Sequence, residues 1–406
     1  VSIFILSLFV AMVTTIPAVT AVNETSSGTI SGTETWTGIM NLDGDLLVAG
    51  GAKLIINAGT TINIPADKNI QIQGSICAGD SSCGASQAST GSPIRFIWAE
   101  AAAPAPNQTG RCFVTGVFNP DMSCGSGIYL ASTIDQSLTR MNYITLDGAY
   151  GIPVDIDGQG SIKYGALIFD GASLTVTNPT FVDVNTSNVL AFNGASPTLD
   201  GGTFIVGVDG QGYHGSAVQA YGAGAGLVVM QILNSVFTGE ETDCGSTGGG
   251  RSAIYLKDSF VRMDSISISE NSYGAFLRSS SGYLTNSTVA TKCNAIDTNA
   301  HLVTNGQTHT FVISDNTLSP ADGAGITAYD GAIVVAERNT ISGSAEGSGF
   351  GIRSSMVTAN NNVIGPIDGY NGFWIYGESD VSAENNTIMN TAREPVLIGE
   401  YHFKDQ

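Results

Sequence analysis

Four cations and two carboxylates crowd one stretch of the chain: Arg251, Lys257, Arg262 and Arg278 beside Asp258 and Asp264. A basic group next to carboxylates could move protons during polysaccharide cleavage, and paired acids flanking a bond could hydrolyse it. The bland alternative is that outward charges solvate strands and guard edges, and this spacing favours it. His214, His301, His309 and His402 stand apart from acidic or cysteine neighbours in sequence and suit turns or the surface. Tyr370, Trp374 and Tyr376 could stack on sugars, pack between subunits or lie as scattered surface rings.

Cofactor signals are thin. The run from Val154 to Gly160 carries Asp155 and Asp157, and Val208 to Gly212 echoes it. Calcium takes six to eight oxygens, whereas this run lacks a third carboxylate and a closing Glu. An acidic β-turn is the expectation; Ca2+ near Asp155 and Asp157 is the lesser alternative, and no other cofactor is expected. Six cysteines fall as Cys77 and Cys83, Cys112 and Cys124, Cys244 and Cys293, in Gly/Ser/Asp-rich flanks that suit loop disulfides in an oxidising compartment. Sequential pairing is chosen from fifteen connectivities. Zinc is disfavoured because no C-x-x-C pair occurs. Asn-x-Ser/Thr acceptors at Asn23, Asn107, Asn185, Asn286 and Asn385 agree with export to the cell surface or beyond.

Fifteen Lys+Arg against thirty-five Asp+Glu give a formal net charge of −20. That balance repels phosphate backbones and argues against a nucleic-acid partner. Only 12% of residues are charged while 51 are glycine, a composition for tight turns and little helix.

The elements that would position any site are short strands of apolar and β-branched residues, alternating with Gly, Asn, Asp and Ser from Ile39 onward. Coils restart at phrases such as Gly165-Ala-Leu-Ile-Phe169, Ala253-Ile-Tyr-Leu256, Gly274-Ala-Phe-Leu277, Gly351-Ile-Arg353 and Gly372-Phe-Trp-Ile375. The period of roughly 20 to 28 residues is that of a solenoid. Second strands such as Ser265-Ile-Ser-Ile268 follow, then third strands after the Asn corners at Asn339, Asn361-Asn362 and Asn385-Asn386. Asn tolerates positive φ and can hydrogen-bond a like residue in the next coil, so the corners should form ladders. About a dozen coils at ~4.8 Å would make a rod of about 60 Å.

The opening phrase Gly51-Ala-Lys-Leu-Ile-Ile56, Gly59-Thr-Thr-Ile62, followed by Ile70-Gln-Ile72 and Pro93-Ile-Arg-Phe-Ile97, resembles right-handed parallel β-helix surface proteins of the pectate-lyase-like kind. The resemblance implies an all-β solenoid. The Asp and Gly-His-Gly motifs of β-helix hydrolases and the Arg motifs of the lyases are not matched, so no catalytic residue is assigned and the chain is read as a non-enzyme.

Residues Val1 to Val19 carry no charge and nearly reach the ~20 residues of a membrane-crossing helix. They read either as a signal peptide cleaved after Ala21 or as a retained segment, helix or strand. Retained, they resemble the apolar start of type IV pilins and archaeal pilin-like subunits, although position 5 is Ile5 and Pro17 would kink a helix. Ile3, Phe4, Ile5, Leu6, Leu8, Phe9 and Val10 would then pack a filament core, with the membrane engaged only before assembly.

The organisation expected is 1–22 apolar segment, 23–45 linker and N-terminal cap, and 46–406 β-helix. The function expected is that of a structural, extracellular subunit of a pilus-like filament, displaying a glycosylated β-helix for adhesion. Its partners would be copies of itself and surface glycans. The alternative is a secreted or anchored carbohydrate-active or glycan-binding β-helix.

Overall fold

The structure, a computed structural model, describes residues 23–99, 113–114, 117–118, 125–157, 162–184, 186–205, 216–224, 229–239, 244, 252–300 and 309–399. Among the described residues every strand ladder is parallel except two local antiparallel ones, and the coils stack their strands into three faces, called sheets 1 to 3. Sheet 1 includes Gly127–Leu130, Ser252–Lys257, Tyr273–Arg278, Ile296–Asn299, Ile326–Tyr329, Phe350–Arg353 and Phe373–Tyr376. Sheet 2 has 13 strands, from Thr33–Trp36 to Asp380–Glu384. Sheet 3 runs from the first part of Asn23–Ile30 to Thr387–Ile388, and the long strand Ile39–Val48 serves both sheet 1 and sheet 3. Thirteen rungs at ~4.8 Å give a rod of about 60 Å.

The period-2 pattern explains the core. In Lys53–Ile56 and Thr61–Ile64 the alternate Leu54, Ile56, Ile62 and Ile64 are buried, because successive side chains of a strand face opposite sides of the sheet. Like residues stack between coils: Phe181, Phe204 and Phe237 lie 5.3 and 4.7 Å apart, and Phe350 and Phe373 4.6 Å. Burying a Phe side chain contributes about 1.5–3 kcal/mol. Glycine opens several strands because coils touch there; a Cβ on Gly349 would stand 2.7 Å from the Gly372 carbonyl.

Corners between sheets 2 and 3 turn on a single left-handed residue, as at Asn286, Asp315, Arg338, Asn361 and Asn385. The next residue forms the expected ladder. Asn316 Nδ2 donates to Asn339 Oδ1 at 3.0 Å, Asn339 Nδ2 to Asn362 Oδ1 at 3.0 Å, and Asn362 Nδ2 to Asn386 Oδ1 at 2.9 Å. These amides also donate to carbonyls of a neighbouring strand, so a buried polar row is satisfied internally.

One boundary differs from the sequence reading, which set 23–45 aside as linker and cap and began the helix at 46. Asn23–Ile30 pairs in parallel with Ile39–Val48, and Thr33–Trp36 with Lys53–Ile56, so 23–45 already belong to the stack. The short run Thr33-Glu-Thr-Trp36 hides only one large inward side chain, Trp36, which weakens its strand signature. Residues 1–22, with the assembly candidates Ile3 to Val10, lie outside the described residues.

Candidate functional site

Sheet 1 departs from inward-apolar, outward-polar alternation. At its N-terminal end an antiparallel hairpin, Ile152–Asp155 against the start of Ile162–Asp170, lies over the outer face. It buries Tyr129, Ile168, Leu190 and Phe192 together with Ile152 and Val154 in a second apolar cluster outside the helix. Tyr129 donates to Asp170, which also accepts from Asn193 at 2.6 Å.

Register partners place Tyr221, Lys257, Arg278, Asn299, Tyr329, Arg353 and Tyr376 in one column. Gln219, Tyr255, Phe276, Asp297, Thr327, Gly351 and Trp374 form the column beside it. Tyr221, Tyr255 and Phe276 make a continuous shelf, with centroids 5.6 and 5.8 Å apart and the second pair within 6° of parallel. A second shelf of Tyr370, Trp374 and Tyr376, spaced 6.0 and 5.0 Å, lies four rungs on. Between them Gly351 keeps the floor low; a Cβ there would stand 3.4 Å from Tyr329 Oη.

Cations line the shelves. Lys163 Nζ sits 5.7 Å above Tyr221, Arg278 5.0 Å from Phe276, Arg353 5.0 Å from Tyr329 and Arg393 4.2 Å from Tyr370. Burial raises the Tyr221 and Tyr255 hydroxyls above their ordinary range and keeps them neutral donors. Tyr329 is raised by burial and by a hydrogen bond shared with Tyr376.

Asp297 lies between the shelves. It is 8% exposed and accepts from Asn294 Nδ2 at 3.0 Å. Burial raises its carboxyl above the ordinary value of 3.8, while hydrogen bonds from Asn294 and Thr327 and the charge of Arg278 oppose the rise. Tyr273 is raised by burial and then by the proximity of Asp297. A carboxyl disposed to hold its proton, beside an arginine and two tyrosines, is suited to giving or taking a proton.

The sequence cluster divides at a corner. Lys257 and Arg278 face out from sheet 1, Asp258 forms the corner at φ 51°, and Arg262 and Asp264 pair at 3.2 Å on sheet 2. Asp264 also accepts from Thr285 and Asn286, which lowers its carboxyl. Arg251 lies outside the described residues, as do His214, His301, His402, Asn107, Asn185, Cys112, Cys124 and the side chain of Asn23. His309 Nδ1 meets Ser281 Oγ at 3.5 Å. Asn286 and Asn385 are exposed corner residues with positive φ. Disulfides join Cys77 to Cys83 and Cys244 to Cys293. Asp155 ends the outer hairpin strand and the charge of Asp157 is felt at Lys163; no three ligating groups converge among the described residues. Tyr221, Tyr255, Phe276, Lys163 and Asp297 were not singled out from sequence, although Tyr255 and Phe276 occupy outward positions of two recognised coil phrases.

Residues 300–402 match the family described as the right handed beta helix region. The fold is a right-handed parallel β-helix. Among solved structures, the surface adhesin PfbA of Streptococcus pneumoniae is 12% identical, with 90% of this chain and 85% of that chain covered and a TM-score of 0.43. The periplasmic alginate epimerase AlgG is 10% identical, with 92% of this chain and 77% of that chain covered and a TM-score of 0.32. No curated protein matches the chain. The sequence expectation of a non-enzyme is corrected here. An adhesin and an epimerase both stand among the similar structures, so missing motifs do not settle catalysis.

Proposed function

We propose that the protein is an extracellular or envelope β-helix that binds a glycan chain along the outer face of sheet 1 and thereby mediates surface adhesion. The observation that carries this reading is the pair of aromatic shelves on the outer face of sheet 1: Tyr255 and Phe276 stack between adjacent rungs, and Tyr370, Trp374 and Tyr376 gather on one coil. Flat rings with neutral hydroxyls and flanking cations offer an apolar surface and polar contacts together, as an extended sugar polymer requires. The two disulfides support an oxidising compartment. The test is calorimetric titration of the whole chain with hexasaccharides of varied composition, with Tyr255→Ala and Trp374→Ala beside it. Saturable binding weakened about tenfold in both variants supports the reading; unchanged affinity in both refutes it.

Asp297 favours a second reading, in which the bound chain is also chemically altered by proton transfer. Asp297→Asn should then abolish turnover while leaving hexasaccharide affinity within about twofold, a change below half a kcal/mol. Equal product formation by both proteins would remove this reading. Filament assembly is a separate proposal, supported by the nineteen uncharged residues Val1 to Val19. Deleting them should abolish polymerisation and leave the rod folded; polymers formed without them would refute it.

A further inference from the structure

Lys163, Lys257 and Arg278 gather at the hairpin end of the aromatic face. Thirty-five acidic residues face fifteen Lys and Arg, so a surface cation should find a carboxylate easily. Others do. Arg338 pairs with Asp315 at 2.7 Å and Glu337 at 2.9 Å, Arg353 with Asp330 at 2.8 Å, and Arg262 with Asp264 at 3.2 Å. Among the described residues, Lys163, Lys257 and Arg278 have no carboxylate at ion-pair distance; Lys53, Arg95, Arg140 and Arg393 share that property, and the three differ from them in being grouped.

They are nonetheless held together. Lys257 and Arg278 are register partners on adjacent rungs, Tyr221 is the register partner of Lys257 on the other side, and Lys163 reaches over that tyrosine from the hairpin. Like charges directly opposed on neighbouring strands are destabilising. Their mutual repulsion is felt at Lys163, whose pKa is lowered first by burial and then by Lys257. Arg278 Nε is buried with no hydrogen-bond partner, a donor left unused beside the shelf. The nearby Asp297 is buried and accepts from Asn294, and burial raises its carboxyl. Positive charge concentrated here, with Asp157 felt at Lys163 and Asp297 near Arg278 but no carboxylate at ion-pair distance among the described residues, and flanked by stacked rings, is an arrangement that an incoming anion completes.

We propose that Lys163, Lys257 and Arg278 form an anion subsite at the hairpin end of the aromatic face, which takes a carboxylate or sulfate substituent of the bound sugar chain. This rests on the glycan-binding reading. It adds a polarity to the face: charged recognition sits at the Tyr221–Phe276 shelf, and the Trp374 shelf holds the chain chiefly by stacking.

The test uses the whole chain and three hexasaccharides of equal length: a hexuronate, a sulfated hexamer and an uncharged one. Lys257→Gln/Arg278→Gln should weaken the preferred anionic hexamer about tenfold or more, the loss of one charge-assisted contact, and flatten its salt dependence. The uncharged hexamer should bind weakly and equally to both proteins. Arg278→Lys, which keeps the charge, should retain most of the affinity, and Arg338→Gln should change nothing. Whichever of hexuronate and sulfated hexamer binds more tightly identifies the substituent. Equal affinity for charged and uncharged hexamers, or an unchanged affinity in the double variant, would overturn the subsite. If Tyr255→Ala and Trp374→Ala still weaken binding in that case, the glycan reading survives alone; if no hexamer binds the unaltered chain, both fall.

Discussion

The outer faces of sheets 1 and 3 are built on the same rungs yet differ in kind. On sheet 3 one register column carries Thr180, Thr203, Val236, Ser267, Thr288, Thr317, Thr340, Val363 and Thr387. From Thr145 through Thr387 every residue in it is small, uncharged and free of a ring, and most are β-branched, as a half-exposed strand prefers; Arg95, one rung earlier, is the exception. The matching columns of sheet 1 hold stacked aromatics, cations and a buried carboxyl. Since sheet 3 meets the demands of pairing and solubility with threonine, folding alone does not call for the rings and charges of sheet 1. The contrast is what supports assigning the proposed binding to one face of the rod.

Exchanging the roles of the two regions should separate stability from binding. Asn339→Leu strikes the corner of sheets 2 and 3, and it orphans the Asn316 amides and the Ile313 carbonyl together. A loss on the order of 3 kcal/mol is expected in denaturant unfolding, with hexasaccharide affinity unchanged in the protein that remains folded. Trp374→Ala should do the reverse. A stacking contribution of about 1.4 kcal/mol is about tenfold in affinity, and the partly exposed ring lends the fold little. An Asn339 variant that lost affinity while folded, or a Trp374 variant that unfolded, would dissolve the distinction between the two regions.

Legibility followed the same division. The Asn339, Asn362 and Asn386 ladder could be read because a corner needs positive φ and an amide in consecutive residues, a purely local demand. The binding face could not, because its columns exist only once coils are aligned. Ser216 meets Ser252 across 36 residues, whereas Ser259 meets Ser280 across 21, so insertions of varying length conceal which tyrosines share a column. Lys163 arrives on an antiparallel hairpin that interrupts the repeat altogether. The basic stretch from Lys257 to Arg278 was visible in sequence, but Arg262 and Asp264 had to be assigned to a different sheet once the Asp258 corner was placed.

Asp297 gives a smaller and pH-dependent contrast. Burial raises its carboxyl, so the folded state binds more protons than the unfolded chain between the ordinary value of 3.8 and the raised one. Stability from this group is therefore present below that window and lost as pH rises through it. Asp297→Asn removes the dependence. The Tm of the variant relative to the parent should be more favourable at pH 7 than at pH 3.5, measured by calorimetry. A difference that ran the other way would place the folded carboxyl below its ordinary range, and would remove Asp297 as a proton carrier.

The smallest effect is expected on sheet 3, and it is the one that isolates the cause. Thr288→Ala/Thr317→Ala removes two adjacent exposed hydroxyls and two branched methyls from a single column. Surface substitutions away from caps, cores and networks usually fall within ±0.5 kcal/mol each, so Tm should move by no more than a few degrees and hexasaccharide affinity not at all. Two threonines are lost from the same kind of pleated, parallel, outward surface that bears Tyr255 and Phe276 on sheet 1. If the exchange weakened sugar binding, the rod would recognise its ligand by wrapping or by general hydroxyl contact, and the aromatic face would lose its claim. If affinity holds, recognition depends on which side chains the rung presents, because rung geometry is common to both faces.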